Sequence, residues 1–199
     1  MNLASMSRLF SLVLLLTLAA SLHAATIRVD VRDARGAAVA DAVVYAVPEG
    51  RELPLAKKTA VMDQKNRTFI PHVLPVQTGT AVKFPNSDDI RHQVYSFSSA
   101  KMFQLPLYKG TPANPVVFDR SGVVSLGCNI HDRMNAYIVV VDTPYFAATG
   151  KKGRADLASV SAGKYAVRVW YPDMTAEPAP VALTLAASDT KELTIVVRK

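Results

Sequence analysis

Short alternating runs dominate the chain from about residue 25 onward. Ile27-Arg-Val-Asp-Val-Arg32 places apolar and charged residues in turn, the period of a strand with one face in a core and one in water. Tyr165, Val167 and Val169 alternate with Lys164, Ala166 and Arg168, and Leu193, Ile195 and Val197 alternate with Glu192, Thr194 and Arg198. Ala42-Val-Val-Tyr-Ala-Val47 is a shorter apolar run, ended by Pro48-Glu-Gly50. Further strands are expected near 67–70, 73–77, 80–84, 92–97, 115–118, 122–127 and 136–142, with Gly and Pro punctuating the gaps. None of these segments carries a long period of 3.6 residues. The pattern predicts an all-β chain folded as one or two β-sandwiches. The stretch 98–114 shows no clear period and is expected to be a long irregular loop.

The N-terminus breaks the pattern. Arg8 precedes the apolar run Leu9–Ala20, which is followed by Ser21-Leu-His-Ala-Ala25. Charge, apolar core and small residues in that order predict a signal peptide over residues 1–24 and export to the periplasm. The run is short for a permanent span, and no later segment is long and apolar enough, so no membrane span is expected in the mature chain.

Export gives the cysteine content meaning. Cys128 is the one cysteine of 199 residues, so no internal disulfide can form, and a lone thiol in an oxidising compartment calls for protection by a metal or by burial. The formal charge of +7 is only slightly reduced by loss of Arg8. A basic surface favours acidic partners or anionic surfaces. The cations are scattered rather than striped with aromatics, so nucleic acid is not an expected partner.

The strongest chemical feature is Gly127-Cys-Asn-Ile-His-Asp-Arg-Met134. It lies between two expected strands, so Cys128, His131 and Met134 share one tight loop. His92 opens another expected strand after the turn-forming Asn86-Ser-Asp-Asp89. Two imidazoles, a thiolate and a weak thioether form the donor set of blue-copper electron-transfer centres. Structural zinc prefers more thiolates or imidazoles, calcium and magnesium want oxygens, and iron–sulfur clusters want several cysteines. The expected metal ligands are therefore His92, Cys128, His131 and Met134, around one type 1 copper. His72 is a possible further ligand, more readily read as packing near a strand start. Met62 and Met102 are read as packing residues, and Asp88 and Asp89 as residues that solvate a turn. No Ser-His-Asp order, phosphate loop or zinc-protease helix is present.

Residues 62–142 resemble the plastocyanin, pseudoazurin and amicyanin family of cupredoxins. The resemblance is carried by Asn66-Arg-Thr-Phe-Ile-Pro71, Gly79-Thr-Ala-Val-Lys-Phe-Pro-Asn86, His92-Gln-Val94 and the 127–134 loop. The Cys-x-x-His-x-x-Met spacing resembles amicyanin in particular. Val94-Tyr-Ser-Phe97 and Gly-Cys-Asn-Ile-His-Asp are similar to strings in exported cupredoxins often labelled methylamine utilization proteins. The resemblance implies a Greek-key sandwich, a supporting role for Asn86 in bonding the loop after Cys128, and Asn129 as a second supporting residue. Arg133 departs from those exported proteins, which usually carry an aromatic there.

The flanks resemble a different fold. Ile27–Gly36, Asp41–Tyr45, Gly150–Trp170 and Glu192–Arg198 look like pieces of a carboxypeptidase-regulatory-like (transthyretin-like) sandwich. The organisation expected is a first part of an Ig-like sandwich over 25–60, an inserted cupredoxin over 61–142, and the remainder of the sandwich over 143–199. The expected function is a periplasmic type 1 copper protein carrying single electrons, without enzymatic turnover. Its partner would be another redox protein, acidic or a c-type cytochrome. Copper delivery, buffering or tolerance is one alternative, and a metal-free interaction module is another.

Overall fold

The computed structural model describes residues 24–172 and 174–198. The expected signal peptide, apart from Ala24, lies outside the described residues. The described chain is all-β, with seventeen strands. Among the described residues no helix is long and apolar enough to cross a membrane.

Two sheets enclose the first core. One has the order β14 (Arg154–Val160), β1 (Ala25–Asp33), β17 (Thr190–Val197). The other runs β13 (Phe146–Ala148), β2 (Val43–Pro48), β15 (Gly163–Trp170), β16 (Val181–Leu185). Their alternation decides what is inside: Ile27, Val29 and Val31 from β1 meet Tyr165, Val167 and Val169 from β15, all buried. Strands β1 and β2 thus pair only with strands that follow residue 145.

The intervening chain builds the second sandwich. A three-stranded sheet has the order β10 (Val116–Phe118), β7 (Thr80–Lys83), β3 (Thr59–Val61). Facing it is a five-stranded sheet, β6 (Val73–Gln77), β12 (Asn135–Val141), β11 (Gly122–Gly127), β8 (His92–Ser98), β9 (Lys101–Tyr108). A small hairpin, β4 (Asp63–Lys65) and β5 (Thr68–Ile70), closes one end. Met62, Val82, Phe84, Val94, Phe118, Leu126 and Ile138 fill this core.

The sandwiches touch through a third apolar cluster of Val43, Val73, Val139 and Val141. Strand β12 is therefore buried on both faces: Ile138 and Val140 point into the second core, Val139 and Val141 into the junction. A strand covered on both sides reads as a continuous apolar run rather than an alternating one, which accounts for Ile138-Val-Val-Val141.

The expected irregular loop over 98–114 is mostly wrong. Residues 101–108 form the edge strand β9, antiparallel to β8. Phe103 and Leu105 pack against the second core while Met102, Gln104 and Pro106 face out. Pro106 obscures the pattern, and an edge strand is where a sheet tolerates proline. Met102 is accordingly not a packing residue: it is 70% exposed, opposite Phe97, whereas Met62 is fully buried as expected.

Candidate metal centre

Strand pairing brings the expected ligands together. Strand β11 is antiparallel to both β12 and β8. Its C-terminal end therefore lies beside the start of each. Cys128 follows β11, His131 and Met134 sit in the loop that leads into β12, and His92 is the first residue of β8. The loop is closed at its base by the Gly127–Asn135 pair and tightened inside by the Met134 N–H donating to the His131 carbonyl at 2.9 Å.

One donor atom from each of His92, Cys128 and His131 falls within 4.8 Å of the others. His92 Nδ1 is 4.0 Å from Cys128 Sγ, and the two imidazole centroids are 5.0 Å apart. His92 is fully buried and Cys128 only 5% exposed. Met134 is buried in the same core cluster as Cys128. His131 is half-buried, and its Nδ1 is sealed from water with no hydrogen-bond partner. An orphaned buried nitrogen is costly unless something else takes its lone pair. Donors sharing one ion through bonds of about 2.0–2.3 Å stand roughly 3–4 Å apart, so the site fits a metal ion. The soft sulfur donors and the two imidazoles suit copper.

His92 is held from behind. Its Nε2 lies 2.7 Å from Asp88 Oδ2, which leaves Nδ1 turned toward Cys128. The Asp88 carboxylate also accepts the backbone N–H groups of Asn66, at 2.6 Å, and Arg67, at 2.9 Å. Burial pushes the Asp88 carboxyl upward, but the Arg67 N–H, His92 and the Asn66 N–H together outweigh it and hold the group below its ordinary value. Sequence reasoning treated Asp88 as a turn residue. The i,i+4 spacing to His92 was the available signal, but the turn around Asn86 obscured it.

Asn86 does not bond the loop after Cys128. Its side-chain amide donates to the carbonyls of Ile90, at 2.9 Å, and Tyr108, at 2.8 Å, and its Oδ1 accepts the Asp88 N–H at 3.0 Å. Its own N–H donates to the Gly110 carbonyl, which turns the side chain into the 86–90 loop. Asn86 thus shapes the loop that presents Asp88. Asn129 provides the tie to the ligand loop: its amide donates to Gln93 Oε1 at 2.7 Å, linking that loop to β8.

Beneath this loop, the Tyr108 hydroxyl donates to the Phe84 carbonyl and accepts from the Gln64 amide. Burial pushes the Tyr108 hydroxyl up to about 12, against the opposing Gln64 hydrogen bond. It therefore stays protonated at neutral pH. Neither residue stood out in the sequence.

His72 is not part of the centre. Its Nδ1 lies 3.0 Å from Asp41 Oδ2, and its ring packs edge-on against Tyr137. Asp41 immediately precedes the first sandwich's β2 region and His72 precedes β6, so the pair straddles the junction. The group of donor atoms within 4.8 Å of one another comprises His92, Cys128 and His131, and His72 lies outside it.

No protein-family model and no curated protein matches the chain. Solved structures do. A purple cupredoxin from Nitrosopumilus maritimus is 22% identical with a TM-score of 0.36, the match covering 41% of this chain and 96% of that one. A copper-containing nitrite reductase from Thermus scotoductus is 21% identical with a TM-score of 0.40, covering 49% of this chain and 25% of the enzyme. A variant of amicyanin in its reduced Cu(I) form at pH 4 is 20% identical with a TM-score of 0.39, covering 49% of this chain and 99% of that one.

Proposed function

We propose that this protein is an exported type 1 copper protein that carries single electrons between redox partners. The observation behind this reading is the buried three-donor group, with His92 Nδ1 aimed at the Cys128 thiol and His131 Nδ1 left without a partner. Copper held there would supply a one-electron Cu(II)/Cu(I) couple. Cys128 would be the strong thiolate donor, His92 and His131 would each supply an imidazole nitrogen, and the Met134 thioether would be a weak fourth donor. The donors hang from paired strand ends, which limits their movement between oxidation states.

The half-buried His131 ring and the exposed Ile130 beside it form the edge where a partner could approach. Arg91, Lys109 and Arg133 are exposed at this end, with Asp89 and Asp132 among them. Together with the net charge of +7 they favour an acidic redox partner, such as an acidic c-type cytochrome. The near-complete burial of Cys128 and His92 suits retention of the metal better than its delivery. The protein would have no substrate turnover of its own, and its flanking sandwich would be a scaffold.

The test is the visible and paramagnetic resonance spectrum of the protein after adding Cu(II), beside Cys128→Ser. An intense thiolate-to-copper band with compressed hyperfine splitting, absent from the variant, is expected. Ordinary weak Cu(II) spectra, or no stoichiometric binding, would sink the reading.

A further inference from the structure

We infer that Asp88 is a positioning residue for the centre: it fixes the tautomer of His92, and its charge biases the site toward the oxidised metal. The inference rests on the copper reading above. It starts from three donors converging on one carboxylate. Asp88 Oδ1 takes the Asn66 N–H, and Oδ2 takes the Arg67 N–H and faces His92 Nε2. The Asp88 backbone N–H is in turn held by Asn86 Oδ1. The side chain is 13% exposed, so solvent screens its charge only in part.

The turn that grips Asp88 is unusual. Asn66 and Arg67 both have positive φ, 55° and 58°. Asn tolerates that region, but an ordinary long side chain is uncommon there. Two successive left-handed residues make the tight turn between β4 and β5 and aim both N–H groups at the same acceptor. A strained backbone persists where its surroundings hold it in place, and here the Asp88 carboxylate does so. A hairpin from outside the ligand-bearing sheet is thereby connected to a metal ligand through one side chain.

Two consequences follow for His92. Its Nε2 keeps the proton as a donor to Asp88, so Nδ1 presents a lone pair toward Cys128. The carboxylate also makes the imidazole a stronger donor, as outer partners of ligating histidines do. Its negative charge stabilises Cu(II) more than Cu(I), because the interaction grows with the metal's charge. Asp88 therefore lowers the reduction potential.

The experiment compares wild type, Asp88→Asn and Asp88→Glu. In the apoprotein, nitrogen-15 NMR should show a protected His92 Nε2–H in wild type that Asp88→Asn loses. With copper, Asp88→Asn should keep the thiolate band, lose about 10- to 100-fold in Cu(II) affinity, lose less in Cu(I) affinity, and show a raised potential. Asp88→Glu should restore the potential at least in part and keeps the test available if the Asn variant unfolds. An intact band beside unchanged potential and unchanged His92 tautomer in Asp88→Asn would overturn the inference alone. A wild type with no thiolate band would overturn the copper reading, and the charge effect with it.

Discussion

The Tyr95 ring lies over Gly127, the residue before the Cys128 thiol. Gly127 and Tyr95 are register partners on β11 and β8, and a Cβ added at Gly127 would stand 2.6 Å from Tyr95 Cζ and 2.7 Å from its hydroxyl. That gap is too short for any real contact, so the ring and a side chain at 127 cannot both keep their places. The glycine is required by close approach rather than by its φ. The ring also leans on exposed Phe97, 5.2 Å away between centroids.

Gly127→Ala is therefore expected to displace Tyr95 and cost about 1–3 kcal/mol as an overpacked site. Because Cys128 is the next residue, the thiolate-to-copper band should shift as well. Adding Tyr95→Ala should relieve the crowding. Chemical denaturation and visible spectra of the two single variants and the double would check this, and additive costs would contradict it.

Met134→Leu removes the thioether at nearly constant volume. Fold stability should change by less than about 1.5 kcal/mol. Copper should stay on His92, Cys128 and His131 with a higher reduction potential, since loss of a weak thioether donor destabilises Cu(II) more. An unchanged potential by voltammetry would remove Met134 from the ligand set.

Arg67→Gly keeps the N–H that Asp88 accepts and releases a side chain from the left-handed region. Thermal and denaturant unfolding should show stability unchanged or raised by about 1 kcal/mol, with the copper spectrum preserved. Marked destabilisation would mean that the Arg67 side chain has a role the hydrogen bonds do not reveal.

Asp41→Asn weakens the contact with His72 across the junction. Both groups are more than a third exposed, so the loss should be at most about 1 kcal/mol. Copper stoichiometry and spectrum should not change. A change in either would return His72 to the ligand set.

Asp33 supplies a pH-dependent stabilising contact. The Ala37 N–H, opposed by partial burial and reinforced by the Arg35 backbone and guanidinium, holds its carboxyl below the ordinary aspartate value. Because the native value is depressed, the stability is complete above the ordinary carboxylate value of the unfolded chain and is lost as pH falls through the native one. Acid unfolding of Asp33→Asn should accordingly show a shallower decline below about pH 4.

Local chemistry explains how much of this was legible in the chain. The runs at 27–32, 164–169 and 192–198 declared their strands because period two depends only on neighbours and on one covered face. Cys128, His131 and Met134 stood out because a short loop between strands must gather its own side chains. His92 required a longer step, but its place at a strand start after a turn was visible in the sequence.

Register and docking decided the rest. Asn86 turned toward Ile90 and Tyr108 because its backbone is held by Gly110, a partner 24 positions away in sequence. Asp88 became the support of His92 only when the Asn66–Arg67 turn closed over it. His72 went to Asp41, and Val139 and Val141 gained a second covered face, because two sandwiches met there. Strand β9 emerged from an apparently aperiodic stretch because an edge needs one partner and tolerates Pro106. The sequence alone determined the strand periods and the donor types. Tertiary structure decided which polar groups face each ligand, because those choices depend on residues that only folding brings within hydrogen-bond reach.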